Sequence, residues 1–477
     1  MEVGVGLGVE VGDVVTAAQA DAVAGHVAGA LHAAGVRRGD RVALVVPGSP
    51  ALVAVALAAL RAGVVPVVLD PGTPADELAE VLADADPALV VRDGDDLAGL
   101  VRAGEHPAVP STASPLPLSP VPLARPMHYT SGTTGRRKGV WSGVLTQDDA
   151  RRLWGEEIEQ WGLGPADVHL VVSPLHHSAP LRFALATLHA GGSVVVPGRF
   201  TVDGFLQACR HHRPTTLFTA PAQLQRLHER AVTDPGPVRE ALRGFRLVAH
   251  AGAPCPDPVR RWLIDVVGTE PVWEFYGATE GQFTACPAAQ WLERPGTVGR
   301  ARAGRTLSVD ADGTIWCAVP PWARFSYWGD PERTAQAWRH TPAGPAFTVG
   351  DHGRLDADGF LYLTGRREDL VITGGVNVYP LEVERVLSRC PGVREVVVVG
   401  VPDERWGQRL EAVVVPTDRS PATAGDVTAF AREHLPPARR PKDVHVLDEG
   451  DLPRTSSGKV RRLELADRLT GAAPPPR

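Results

Sequence analysis

From residue 16 to about residue 281 the sequence alternates helical-period stretches with short, almost continuously apolar runs, and that rhythm leaves few folds open. Residues 16–35 space Ala, Val and Leu among polar residues at the interval of one helix face, and GDRVALVVP follows with no polar face. PALVAVALAALRAGVVPVVLDP then reads as helix, glycine stop and strand, and ELAEVLADADPALVVRD continues the alternation. Strands apolar on both faces need helices over both, so the pattern predicts an α/β fold with a mainly parallel sheet. The rhythm resumes at VHLVVSPLHHSAP and runs through PTTLFTAPAQLQRL and FRLVAHAGAP to EPVWEFYGATEG. The interruption at residues 107–126, PAVPSTASPLPLSPVPLARP, has the composition of a flexible linker or an extended crossing segment.

After about residue 296 short strands with turn signals take over (VDADGTIWCAV, GRLDADGFLYLTGR), which predicts an antiparallel, barrel-like section. Beyond 366, PLEVERVLSRCPGVREVVVVGVPDERWGQRLEAVVV reads as helix, strand, turn and strand, and GDVTAFAREHLPP as a capped helix closed by prolines. A chain of 477 residues exceeds one ordinary core. The expected fold is α/β: a large N-terminal domain, residues 1–365, of parallel α/β subdomains with a small β-barrel section, then a smaller α+β C-terminal domain, residues 366–477.

Charge and cysteine content narrow the function. A formal net charge of -6 offers no sign of a nucleic-acid-binding surface. Cys209, Cys255, Cys286, Cys317 and Cys390 form no CxxC pair and are too scattered for a zinc site or a disulfide framework, as expected of core thiols in the cytoplasm. MEVGVGLGVEVGDVV has early acids and no basic n-region, unlike a signal peptide. ALVAVALAALRAGVVPVVL is broken by Arg61 and Pro66, which predicts a buried helix and strand and no membrane span.

The chain writes arginine almost everywhere, and its only lysines are Lys138, Lys442 and Lys459. Lys138 ends YTSGTTGRRKGV, and Lys459 lies in LPRTSSGKV. Hydroxyls of Ser131, Thr133 and Thr134, backbone N–H groups freed by Gly132 and Gly135, and a mobile ammonium suit a polyphosphate. The spacing is not that of the GxxxxGK[ST] loop. Lys442, in ARRPKDV, reads as a surface charge or a phosphate contact.

YTSGTTGRRKGV resembles the phosphate loop of the adenylate-forming superfamily of acyl-CoA synthetases, peptide-synthetase adenylation domains and luciferases. HAGAP, EFYGATEG, VGD, GRREDLVITGGVNVYPLEVE, GVPDERWGQ and LPRTSSGKV follow in the family's order, so the resemblance spans nearly the whole chain. It implies that a carboxylate attacks the α-phosphate of MgATP, giving an acyl-adenylate and pyrophosphate, and that a thiol, usually that of CoA, then takes the acyl group. By match, Thr130, Ser131, Gly132, Thr133, Thr134, Gly135 and Lys138 would hold the β- and γ-phosphates, Thr279 the α-phosphate and Glu280 the Mg2+. Tyr276 would stack on adenine, with Gly252, Ala253 and Pro254 along its other face. Asp351 and Arg366 would reach the ribose, although the family's Thr-Gly-Asp is here Val349-Gly350-Asp351. Glu368 and Asp369 fall where the small domain pivots, or are a solvated charge run. Lys459 would be the catalytic lysine of the first half-reaction. Gly374 and Gly375 match the loop that lets a pantetheine arm pass.

The acyl pocket is expected from PLHHSAP, HAGAP and the segment after Glu280, with His177 beside the substrate carboxylate. No acid lies between Ser173 and Leu185 to meet an α-ammonium, which disfavours α-amino acids and favours aryl or fatty acids. His176 and His177, taken as strand neighbours, would point apart, against a shared metal. Arg182 could greet a second polar group on the acid or lie on the surface. The acceptor reads as CoA, with a carrier-protein thiol, an amine or nitrite (a diazo-forming reaction) as alternatives. A catalytically inactive nucleotide-binding relative and a scaffold protein are the readings outside catalysis. Residues 304–345 are compressed relative to the family pattern.

Overall fold

The computed structural model describes residues 13–101, 116–130, 137–418, 420–454 and 460–470. The chain forms two compact units. One comprises residues 1–254, 261–306 and 317–347; the other comprises 255–260, 307–316 and 348–477.

The larger unit is the α/β body that the alternation predicts. Its main sheet has eight strands, with Ser193–Val195, Val168–Val171, Thr216–Thr219, Leu247–His250 and Val272–Glu274 running parallel at the centre. Antiparallel strands, Val14–Thr16 at one side and Thr284–Pro287 at the other, flank them. A second, three-stranded parallel sheet orders Val65–Val68, Arg41–Leu44 and Leu89–Val91. The helix Pro50–Arg61 is apolar all round because it is buried all round: every residue from Leu52 to Leu60 is inside. Ser49 caps its start through a bond from the Leu52 N–H, and Pro50 occupies the first turn, where no backbone donor is needed. The glycine stop is Gly63, at φ +75°, a conformation that other residues adopt only with strain.

Of the segment 107–126, residues 107–115 lie outside the described residues, and residues 116–126 are the extended crossing segment. They cross the body as a packed segment, with Val121, Leu123 and Ala124 buried. The Ser119 and Leu123 N–H groups donate to the carbonyls of Arg61 and Leu60, each at 2.9 Å. Arg61 Nε returns a bond to the Ser119 carbonyl, also at 2.9 Å. The segment thereby satisfies the last carbonyls of the Pro50–Arg61 helix. Met127 N–H then donates to Pro66 O at 3.0 Å and leads into the strand His128–Thr130. The short strands between residues 296 and 366 pair antiparallel, as in Trp338–Thr341 with Gly344–Phe347.

In the smaller unit, Val393–Asp403 and Gly407–Pro416 form a long antiparallel pair, with Asp443–Val446 added parallel to the second. The helices Pro380–Leu387 and Ala424–His434 lie in the same unit. Thr423 caps the second in a reciprocal box with Asp426. Arg462 joins elements far apart in sequence: Nη1 lies 2.5 Å from Glu384 Oε1, while Glu384 also accepts from Val398 N–H at 2.8 Å.

Candidate active site

Three parallel strands deliver the predicted motifs to one end of the main sheet. Val171 is level with Phe218, Phe218 with Ala249, and Ala249 with Trp273. Beyond their carboxyl ends lie PLHHSAP, Gly252–Pro254 and Tyr276–Glu280, in the position where open α/β sheets bind ligands. Gly252, Ala253 and Pro254 are exposed. Tyr276 is buried, its ring 4.8 Å from that of Phe283.

A small antiparallel sheet brings the phosphate-loop residues to the same region. His128–Thr130 pairs with Lys138–Trp141, setting Thr130 opposite Lys138. Ser131, Gly132, Thr133, Thr134 and Gly135 lie outside the described residues. Ser326–Tyr327 adds the third strand, with Tyr327 opposite Val140. Lys138 Nζ stands 5.1 Å from the Tyr327 ring centroid, and the Tyr327 hydroxyl donates to Glu280 Oε1 at 2.8 Å. Burial, then the adjacent Glu280 charge, pushes the Tyr327 phenol far above its ordinary pKa, so it remains a donor. Glu280 is buried, and among the described residues this phenol is its side-chain partner. A buried carboxylate held by a neutral donor fits a site for a hard cation that keeps water and phosphate as its other ligands. No group of three His, Cys, Asp or Glu that could hold a metal occurs among the described residues.

Beside Glu280, Thr279 and Ser178 line a small cavity together with Arg125, Trp154 and Arg182. A second small cavity shares Arg125, Trp154 and Arg182 and reaches Glu156, Arg302 and Arg305. Helix Gln147–Trp161 supplies Trp154, Glu156 and Glu157. Glu157 is the hub: Arg182 Nε lies 3.1 Å from Oε1, Arg302 Nη1 3.0 Å from Oε2, and Trp161 Nε1 donates to Oε1 at 2.9 Å. Arg305 pairs with Glu156 at 2.8 Å. Arg182 is therefore an internal residue, not a surface one. The absence of an acid between Ser173 and Leu185 also needs completing. A carboxylate does reach the second cavity from another helix, but Glu157 is already shared by two guanidinium groups.

His176 and His177 are not strand neighbours. They occupy a turn before helix Ser178–His189, and their rings meet edge to face with centroids 4.3 Å apart. A turn does not force adjacent side chains to opposite faces, so the case against a shared metal rests on ligand count. His176 Nε2 lies 4.0 Å from Asp70, and His128 Nδ1 lies 3.2 Å from the His176 carbonyl oxygen. Burial pushes His128 down to about 4 and His169, in the central strand, down to about 3. Both folded values lie below the unfolded histidine value of about 6.5, so below that pH the unfolded chain binds protons that the folded one refuses. Stability should fall by about 1.4 kcal/mol per pH unit for each ring as pH drops from about 6 toward 4. Denaturant midpoints at stepped pH would show it, and His169→Asn should flatten the slope. An unchanged slope would mean that His169 is protonated in the fold.

In the smaller unit, strands Asp351–Leu355 and Leu361–Arg366 set Asp351 opposite Arg366, with Nε 3.0 Å from Oδ1. Glu368 is exposed; Asp369 is partly buried, which raises its pKa, and lies 3.8 Å from Arg462. Gly374 and Gly375, at φ +57° and +78°, form the turn between Val371–Thr373 and Val376–Val378. A Cβ at Gly374 would stand 2.7 Å from the Trp406 ring. Lys442 Nζ lies 5.3 Å from that ring's centroid. Lys459 lies outside the described residues.

The motifs gave no hint of Arg125, Glu157, Arg302, Arg305 or Tyr327. Arg125 sits at the end of the proline-rich segment, and Glu157 sits in an acidic run that reads as a solvated helix face.

A model described as "AMP-binding enzyme" matches residues 9–315, and "AMP-binding enzyme C-terminal domain" matches residues 382–459. The chain is 32% identical to a feruloyl-CoA synthase of an Amycolatopsis species, covering 96% of this chain and 94% of the relative. It is 30% identical to the fatty acid–[acyl-carrier-protein] ligase ScoC of Streptomyces coeruleorubidus, covering 94% and 90%. Among solved structures it is similar to o-succinylbenzoate CoA synthetase from Bacillus subtilis in complex with its acyl-adenylate intermediate. That match has a TM-score of 0.79 and 26% identity, and covers 94% of this chain and 93% of the other. No helix among the described residues is long and apolar enough to cross a membrane.

Proposed function

Because the chain belongs to the AMP-binding enzyme family of the adenylate-forming superfamily, we propose that it is an AMP-forming acid–CoA ligase with the division of labour set out here. A carboxylate oxygen of the acid attacks the α-phosphorus of ATP, pyrophosphate leaves, and the acyl-adenylate then passes its acyl group to the CoA thiol with release of AMP. The observation that carries the assignment is the alignment of Lys138, Tyr327 and Glu280 beside the cavity that Thr279 lines.

In this reading Lys138 and Thr130 hold the polyphosphate tail with the loop 131–135, and Thr279 meets the α-phosphate. Glu280 would hold Mg2+, which would neutralise charge on the phosphate oxygens. The Tyr327 hydroxyl fixes the Glu280 carboxylate, so little reorganisation is needed as charge builds. His177 stands at the start of helix Ser178–His189, next to Ser178 of the acid cavity, and orients the reacting carboxylate. Tyr276 and Gly252–Pro254 border the adenine, and the Asp351–Arg366 pair receives the ribose. Glu368 and Asp369 mark the pivot of the mobile domain, and Gly374–Gly375 the passage of the pantetheine arm.

The test is acid-dependent pyrophosphate release from MgATP across aryl, short-chain and fatty acids, with and without CoA, products identified by mass. Glu280→Gln should slow pyrophosphate release by about 100-fold, the scale of losing one charge-stabilising contact. An unchanged rate would remove Glu280 from the site. The similarity to an acyl-carrier-protein ligase supports a carrier-protein thiol as the second acceptor to try. Acyl-adenylate that accumulates with CoA but is consumed by a pantetheinylated carrier would favour it.

A further inference from the structure

The two cavities beside Thr279 carry an unbalanced charge. The second is lined by Arg125, Arg182, Arg302 and Arg305 but only by Glu156 and Glu157. Three of these arginines already have carboxylate partners: Glu157 serves Arg182 and Arg302, and Glu156 serves Arg305. Arg125 has none among the described residues. Its guanidinium makes only long contacts to backbone oxygens, Nη1 to Glu280 O at 3.4 Å and Nη2 to Arg324 O at 3.3 Å. It also borders both cavities, the one lined by Thr279 and Ser178 and the one lined by Arg302 and Arg305.

Arg125 makes no direct ion pair among the described residues, although the charges of Glu157 and Glu280 act on it, and its fork geometry matches a carboxylate or sulfonate. Burial, then Arg182 and Arg305, depresses Arg125 to about 10 against the opposing pull of Glu157 and Glu280, so it remains a cation at neutral pH. Resting on the ligase reading, we propose that the acid activated here carries a second anionic group, a carboxylate or sulfonate, which Arg125 receives where it borders both cavities. The reacting carboxylate then faces Thr279, the second anion completes the charge balance, and the skeleton between them packs on Trp154.

The experiment pairs acids of one skeleton with and without the second anion: benzoate against isophthalate and terephthalate, butanoate against succinate and 3-sulfopropanoate. Pyrophosphate release is measured for each with MgATP. The wild-type enzyme should favour the dianion in at least one pair by about 100-fold or more in kcat/KM, because a site built around a polar group rejects analogues that lack it. Arg125→Gln should reduce that ratio to a few-fold, chiefly through the dianion's KM, and Arg125→Lys should restore part of it. Equal or better turnover of the monoanions by the wild type overturns this inference and leaves the ligase reading standing. So does an Arg125→Gln enzyme whose KM for MgATP rises while its acid preference persists. Failure of every acid to release pyrophosphate overturns both.

Discussion

Lys459→Ala should abolish acyl-adenylate formation while leaving transfer from a supplied acyl-adenylate to CoA largely intact. The first step gathers negative charge between the attacking carboxylate and the α-phosphate, and an ammonium bridging the two stabilises that charge more in the transition state than in the ground state. Thiol transfer needs no such bridge. A loss of about 10²–10³-fold or more is expected in acid-dependent pyrophosphate release. The two half-reactions can be read separately, by pyrophosphate release without CoA and by acyl-CoA formation from synthetic adenylate. If both fell together, the lysine would be serving the fold or the nucleotide generally. The choice of residue is itself telling: in a chain with three lysines, arginine's wide, flat fork was not substituted here.

The second large effect concerns stability. Glu157→Gln should destabilise the larger unit by about 3–5 kcal/mol, the range for removing one partner from a buried ionic cluster. Arg182 and Arg302 both lean on this carboxylate, and neither guanidinium has another carboxylate partner at ion-pair distance among the described residues. Burial opposes the charge on Glu157, yet the two arginines outweigh it and hold the carboxyl below its ordinary pKa. The amide keeps a bond to Trp161 but leaves both cations facing a neutral group. Denaturant unfolding followed through tryptophan fluorescence would measure the loss. A midpoint unmoved from wild type would show that water or neighbouring groups already compensate the arginines.

The sequence carried much of this design. Largely apolar runs such as RVAL and VHLV announced buried parallel strands, because both sheet faces are covered; the buried exception His169 is matched by Thr216 at 3.0 Å. Thr130, Lys138, Thr279 and Glu280 were marked by local glycine and hydroxyl context, and a small sheet and adjoining loop bring their segments to one end of the body. Arg125, Glu157 and Tyr327 were invisible because their roles arise from tertiary encounters. Glu157 meets Arg302, 145 positions along the chain, and a glutamate in an acidic helix looks like any solvated residue. The reading of His176 and His177 as strand neighbours failed for a local reason: the strand ends at Val171, and a turn carries the pair into the next helix.

The crossing segment at 116–126 bears on how the molecule assembles. The Leu60 carbonyl accepts locally from Gly63 N–H, but the Arg61 carbonyl takes its donor from Ser119, 58 positions downstream. Contacts of that separation form late, after the entropy of closing a long loop has been met. The same docking event carries Arg125 and the strand His128–Thr130 into place, since both follow directly in the chain. The edge that carries His128–Thr130 is thus set when the interior of the larger unit closes.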